Sequence, residues 1–281
     1  MGVSGGELAR RVAVAAVGIP TALLFVYLGG YPLAVLLMVL AALAGREFAA
    51  MCRARGVPAS QPAAAILAAV YVALSSLTSG EAFVTAGALT TLLATAVLAL
   101  SLAPETRPGL TAITTVFGSA YCGLLLAFAV WLRVLGGPEP GWGGAAVLFL
   151  PIAVTWLGDT VAYFAGSALG RHRLAPRTSP GKSWEGAAAG LLATVGGAVL
   201  YLDVTRGLVD WTLGPAETVG FGAAVAVAGQ VGDLFESRLK RDCGIKDSSG
   251  LLPGHGGMLD RIDSLLFVFP VAYGILLLTG I

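Results

Sequence analysis

The sequence predicts an all-α, polytopic integral membrane protein with about nine transmembrane helices and a cytoplasmic N-terminus. Three observations predict it. The 281-residue chain is 57% hydrophobic with a mean hydropathy of +0.84, more apolar surface than a soluble fold of this length can bury, so lipid must be its solvent. Its apolar residues fall into nine runs of roughly 20 residues, each enough to cross about 30 Å of hydrocarbon. Its cations fall almost entirely on one face of that arrangement.

Taken in order, the runs lie at 12–28, 33–51, 62–79, 82–102, 112–135, 145–169, 184–202, 217–236 and 264–280. The first follows GELARR and imitates a secretory leader, but Val12 to Leu28 exceeds the usual apolar core of one and reads as a retained span. The third and fourth are Ala- and Thr-rich. Nine spans put alternate loops on opposite faces. One face then receives Arg10, Arg11, Arg53, Arg55, Arg107, Arg171, Arg173, Arg177, Lys182, Arg238, Lys240, Arg241, Lys246 and Arg261, which is 14 of the 17 cations. The other receives Arg133 and Arg206, while Arg46 sits inside the second span. Positive charge is retained on the cytoplasmic side, so the N-terminus is cytoplasmic and the C-terminus external. Dropping one span would scatter the cations over both faces. Trp142 and Trp211 fall near outer span ends, where an indole with one wet edge anchors a helix.

Residues 1–110 therefore read as N-terminal transmembrane helices. Residues 111–281 read as the transmembrane region that carries the chemistry, with cytoplasmic loops at 170–183 and 237–263. The formal charge of +1 gives no reason to expect nucleic acid. Cys52, Cys122 and Cys243 are odd in number and lack C-x-x-C spacing, which argues against a disulfide framework or a zinc site and for small buried hydrophobes.

Three polar clusters interrupt the apolar background. The first is Asp159 in TWLGDTVAYFAG, inside the sixth span, where a carboxylate costs a few kcal/mol unless it faces a cavity or a partner. Tyr163 shares its helix face, and Gly158 and Gly166 allow a second helix to approach closely. An interhelical hydrogen bond would account for Asp159 without any chemistry. The second cluster is RHRLAPRTSPGKSWEG. Its Arg171, Arg173, Arg177 and Lys182 can meet phosphate, and Ser179, Pro180 and Gly181 can form a turn that offers backbone N–H groups to an anion. The arginines also satisfy charge bias alone, and His172 reads as an interfacial residue. Ser183, Trp184 and Glu185 open the next helix.

The third cluster is the most concentrated. Nine of the 27 residues from Ser237 to Asp263 are Asp, Glu, Lys or Arg, against 12% for the chain. Just before it, Asp233, Glu236, Ser237 and Lys240 fall at i, i+3, i+4 and i+7, one helical stripe able to serve a metal and a phosphate together. LPGHGG brackets His255 with glycines whose backbone can approach a phosphate. Asp260 and Asp263 share a face at the start of the ninth span. Oxygen ligands of this kind suit Mg²⁺ better than zinc. Ion pairing with Arg241, Lys246 or Arg261 would explain some of these acids, but two on one face plus a third from another helix exceed what pairing requires. His255 can act as a general acid or base, or donate to a phosphate or cap its turn, the role preferred here.

The run S-x-L-K-R-x4-K-D-x-S-x2-L-P-x-H-G-G-M-x-D-R-I-D, with DTVAYFAG around Asp159 and SPGKSWEG around Lys182, resembles the signature of the phosphatidate cytidylyltransferases, the CDP-diacylglycerol synthases. The resemblance is close over the C-terminal half, while the first 110 residues agree only in being membrane spans. Two positions depart from it: Val161, where members often carry Gly, and Gly181, where a second Lys is common. The resemblance implies a homodimeric enzyme of the cell (inner) membrane, its active site facing the cytoplasm. It would join CTP and phosphatidic acid to give CDP-diacylglycerol and pyrophosphate with Mg²⁺. It further implies a metal centre on Asp233, Asp260 and Asp263, with Asp159 a further ligand or a supporting acid. Lys182, Lys240, Arg241, Lys246 and Arg261 would hold phosphates, and Ser179, Ser237 and His255 would donate hydrogen bonds. Asp159, Lys182, Lys240, Asp260 and Asp263 are the expected catalytic set.

Three other activities compete on the same residues. A CTP-dependent lipid kinase would use the same nucleotide but release CDP. A CDP-alcohol phosphotransferase lacks its D-x2-D-G-x2-A-R pattern here. An anion transporter would need its acids and cations to trace both sides of the midplane, whereas they crowd one face.

Overall fold

The computed structural model describes residues 5–252 and 256–281. Every predicted run becomes helix. In order these are α1 (Gly5–Leu28), α2 (Gly30–Ala54), α3 (Gln61–Leu77), α4 (Gly80–Ser101), α5 (Pro108–Ser119), α6 (Leu125–Leu135), α7 (Trp142–Leu169), α8 (Trp184–Val204), α9 (Pro215–Asp242) and α10 (Leu259–Thr279). A π-helical turn, Ala120–Leu124, joins α5 to α6, so the fifth run is one rod. Among the described residues, seven helices are long and apolar enough to cross a membrane, with Gly18–Leu28 and Gln61–Leu77 shorter apolar helices. A two-stranded antiparallel hairpin, β1 (Arg173–Ala175) and β2 (Ser179–Ser183), is the only sheet among the described residues.

The chain divides into two compact units. One comprises residues 1–130 and 242–262, the other 131–241 and 263–281. In the first unit α2 packs on α3 through small residues. A Cβ on Gly45 would stand 2.8 Å from the Ala64 carbonyl oxygen, so the two backbones approach as only glycine permits. Ser60 caps α3 with its hydroxyl, accepting from the Ala63 N–H at 3.4 Å. The side chains of Val84, Leu92, Leu93, Val97 and Leu100 on α4 stay exposed, the surface a lipid solvent requires.

In the second unit α7 and α8 form the tightest pair. A Cβ on Gly186 would lie 2.7 Å from the Ala162 carbonyl oxygen, and one on Gly190 would lie 2.9 Å from the Ala162 Cβ and 3.0 Å from the Gly158 oxygen. The close approach expected of Gly158 and Gly166 is thus realised. Arg133, at the outer end of the fifth predicted run, lies in the last turn of α6. It is fully buried, with its guanidinium donating to the carbonyls of Gly137 (2.7 Å), Glu139 (3.0 Å) and Gly141 (3.4 Å), so its charge is solvated by the loop it folds. Trp142 opens α7 and is exposed, while the Trp211 indole donates to Thr205 Oγ1 at 2.9 Å.

Two local expectations are corrected. Residues 237–242 are the last turns of α9 and not loop, because Leu, Lys, Arg and Glu continue a helix well after hydropathy falls. Ser179, Pro180 and Gly181 form strand, and the turn falls at 176–178, closed by Thr178 N–H to the Ala175 carbonyl at 3.2 Å. Pro176 follows Ala175, where its fixed φ suits the second position of such a turn.

Candidate active site

The second unit gathers the polar residues of four elements. Lys182 reaches from β2 to place Nζ 2.5 Å from Asp233 Oδ2 on α9. One turn along α9, the Ser237 hydroxyl donates to Asp233 Oδ1 at 3.1 Å, as the predicted stripe requires. Asp263, in the first turns of α10, feels the charges of Asp233, Lys240 and Asp159. Asp159, on α7, feels those of Asp233 and Lys182. Gly232 makes this proximity possible, since a Cβ there would come within 2.8 Å of the Asp263 carbonyl oxygen.

Asp159 makes no hydrogen bond or ion pair among the described residues. It opens on a cavity of about 20 Å³, space for a water, also lined by Thr155, Thr194 and Gln230. Lys240 pairs with Glu236, a fully buried acid one turn back on α9. Arg241 Nε donates to the Thr178 carbonyl at 3.3 Å, tying the end of α9 to the hairpin turn.

The hairpin is fixed at its base by Glu185. Its carboxylate accepts the N–H groups of Arg171 (3.1 Å) and His172 (3.3 Å), and His172 Nδ1 lies 2.6 Å from Oε1. His172 is thus a structural partner and more than an interfacial residue. Ser183 caps α8 by accepting the Gly186 N–H at 3.1 Å, which aims β2, and with it Lys182, at α9.

In the first unit Asp260 Oδ2 accepts three donors from the preceding loop: Ser248 N–H (2.8 Å), Ser248 Oγ (2.9 Å) and Gly257 N–H (2.7 Å). Lys246 and Arg261 are exposed. His255 lies outside the described residues. Sequence reasoning passed over Glu47, a buried acid of α2 bonded to the same loop. Its only signal was an acid beside Arg46 in a span otherwise free of charge until Arg53. None of the three thiols is in a disulfide. Cys122 is buried, whereas Cys52 and Cys243 are half-buried and touch. Burial, then the neighbouring Asp242 charge, raise the Cys243 thiol above its ordinary range.

No group of three or more His, Cys, Asp or Glu among the described residues is arranged as a formed metal site. The charge balance nevertheless fits a cation. Asp159, Asp233 and Asp263 feel one another's charge, Lys182 pairs with Asp233 and Lys240 acts on Asp263, which leaves more carboxylates than cations, and hard carboxylate oxygens are what Mg²⁺ takes.

Helices long and apolar enough to cross a membrane, with acids and a lysine drawn together from three of them and a hairpin, define a polytopic membrane protein with a charged cluster among its spans. A sequence model of the cytidylyltransferase family matches residues 9–279, and the chain belongs to that family. It is similar to the phosphatidate cytidylyltransferase of Thermotoga maritima, 50% identical over 131 residues covering 46% of this chain and 48% of the relative. It is likewise similar to that of Brucella abortus, at 43% over 145 residues covering 52% and 51%. Phosphatidate cytidylyltransferase 5, chloroplastic, of Arabidopsis thaliana is 36% identical over 186 residues, covering 60% and 45%. The chain spans about half the length of the curated relatives it matches.

Proposed function

We propose that this protein is a phosphatidate cytidylyltransferase, forming CDP-diacylglycerol and pyrophosphate from CTP and phosphatidate. The observation that carries this reading is the Lys182–Asp233 pair set among Asp159 and Asp263, within the segments that resemble the family signature. The relatives named for this activity support it.

The chemistry suits such a site. A phosphatidate oxygen, already anionic at neutral pH, attacks the α-phosphorus of CTP; the bond to the β-phosphate oxygen breaks and pyrophosphate leaves with the electron pair. Little general-base help is needed, and most of the work is bringing two anions together and stabilising the charge that develops. Asp233 and Asp263, with Asp159, would hold Mg²⁺, which when bound supplies charge neutralisation at the phosphates. Lys182 and Lys240 hold positive charge at the same site, Ser237 orients Asp233, and Arg241 adds a cation where the end of α9 meets the hairpin turn; Lys246 and Arg261 keep the phosphate-holding role that the family resemblance implies. Asp260, expected from the sequence as a ligand, would instead shape the loop before α10, because its Oδ2 already takes two backbone N–H groups and lies within reach of the Ser248 hydroxyl.

The reading includes nine spans, with α1 and α3 crossing beside the seven longer helices, a cytoplasmic N-terminus and site, a place in the cell membrane, and a homodimer. The cation bias supports the orientation. Purified protein given phosphatidate, labelled CTP and Mg²⁺ is expected to yield a lipid-soluble cytidine product and pyrophosphate in equal amounts. Release of CDP with transfer of the γ-phosphate to lipid would overturn the assignment.

A further inference from the structure

Glu47 sits in the second half of α2 with 7% of its surface exposed. Among the described residues, four donors reach its carboxylate, all from a segment more than 200 residues later in the chain and within the same compact unit. Oε1 accepts from Ser249 Oγ at 2.6 Å and from the Met258 N–H at 3.0 Å. Oε2 accepts from Ser248 Oγ at 2.9 Å and from the Leu259 N–H at 2.9 Å. Two of these donors stand at the N-terminus of α10, where helix N–H groups lack partners of their own. A capping role accounts for those two. It does not account for the two hydroxyls, which come from the far end of the loop.

The carboxylate thus pins both ends of residues 248–259 to one point on α2. Gly257 lies against it; a Cβ there would come within 2.5 Å of Oε2, so the loop cannot carry a side chain at that place. Ser248 extends the arrangement, because its Oγ also lies 2.9 Å from Asp260 Oδ2. A hydroxyl carries one proton and so donates to one of these two carboxylates at a time, which makes the positions of Glu47 and Asp260 depend on each other.

We propose that Glu47 is a positioning residue for the signature loop: from α2 it clasps Ser248 and Ser249 at one end and Met258 and Leu259 at the other and, through Ser248, fixes where Asp260 stands. The structural part stands alone, and only its kinetic consequence rests on the cytidylyltransferase reading. In Glu47→Gln one oxygen becomes an amide that must face a donor, so the clasp fails on one side while size is kept.

The test compares the full-length wild type and E47Q in detergent by peptide-resolved hydrogen exchange and by kinetics. Exchange in peptides covering 246–260 is expected to rise severalfold while peptides of α7 and α8 stay unchanged. The turnover number should fall by about 10²-fold with the KM for CTP nearly constant, since small misplacement of a working group costs roughly that much. Unchanged exchange at 246–260 overturns the proposal, as does loosening throughout the first unit, which marks a general structural prop. Full turnover in E47Q with a loosened loop overturns the positioning role. Should E47Q fail to insert, Ser249→Ala removes one clasp bond alone, and the same local exchange rise is required of it. If the wild type forms no CDP-diacylglycerol, the functional reading fails while the exchange result still decides the clasp.

Discussion

Lys182 and Asp233 meet with Nζ 2.5 Å from Oδ2, joining a short β-strand to the start of the last third of a 28-residue helix. The strand is held by a capped helix on one side and by the Glu185–His172 contact on the other. Lysine is thereby delivered to a carboxylate that has two acidic neighbours, and the pair becomes the point where positive charge enters an otherwise negative cluster.

Lys182→Met is expected to lower the turnover number by about 10²- to 10³-fold, the range for losing one preorganised electrostatic contact. Asp233→Asn alone should do comparable damage, and the double variant should cost far less than the product of the two, because the residues act as a unit. Steady-state kinetics of the four proteins check this.

Asp263→Asn and Asp260→Asn should separate two roles for neighbouring acids. The first is expected to raise the Mg²⁺ concentration for half-maximal activity by an order of magnitude or more, as loss of a hard oxygen ligand does. The second should lower turnover with little change in that concentration. A large shift for Asp260→Asn would restore it to the metal set. Titration of activity against Mg²⁺ distinguishes the cases.

Gly190→Val should push α7 from α8, since even a Cβ there would lie 2.9 Å from the Ala162 Cβ. Overpacking of this kind costs about 1–3 kcal/mol, read as a lowered thermal midpoint in detergent. Gly196→Ala, on the same helix but with nothing within 4 Å, should leave the midpoint where it is.

Cys243 should label slowly with maleimide at neutral pH. Burial and the Asp242 charge raise its thiol, so the reactive thiolate appears only at higher pH than for an exposed cysteine, whose pKa is about 8.5. Site-resolved mass spectrometry across a pH series should show the labelling curve displaced upward.

The helices were legible because lipid imposes a length, and a run such as 145–169 announces it. Asp159, Lys182, Asp233 and Asp263 were legible because charge is costly where they stand. Glu47 was not, since nothing local distinguishes an acid neutralised by Arg46 from one clasping a loop 201 residues away. The end of α9 was misread for a different reason: hydropathy reports depth in the membrane, while helix formation depends on propensity. The hairpin turn was misplaced because two prolines, Pro176 and Pro180, each offer a turn, and strand pairing chooses between them.

The length of α9 has a further meaning. At 1.5 Å per residue its 28 residues run about 42 Å, against about 30 Å of hydrocarbon, so roughly a third of the rod stands at headgroup depth. That third matches its polar stripe from Asp233 to Arg241. The helix is thus long enough to be an anchor in hydrocarbon and a charged post beyond it, and on the proposed reading that post would let a water-borne nucleotide and a membrane-bound lipid meet without either leaving its own phase.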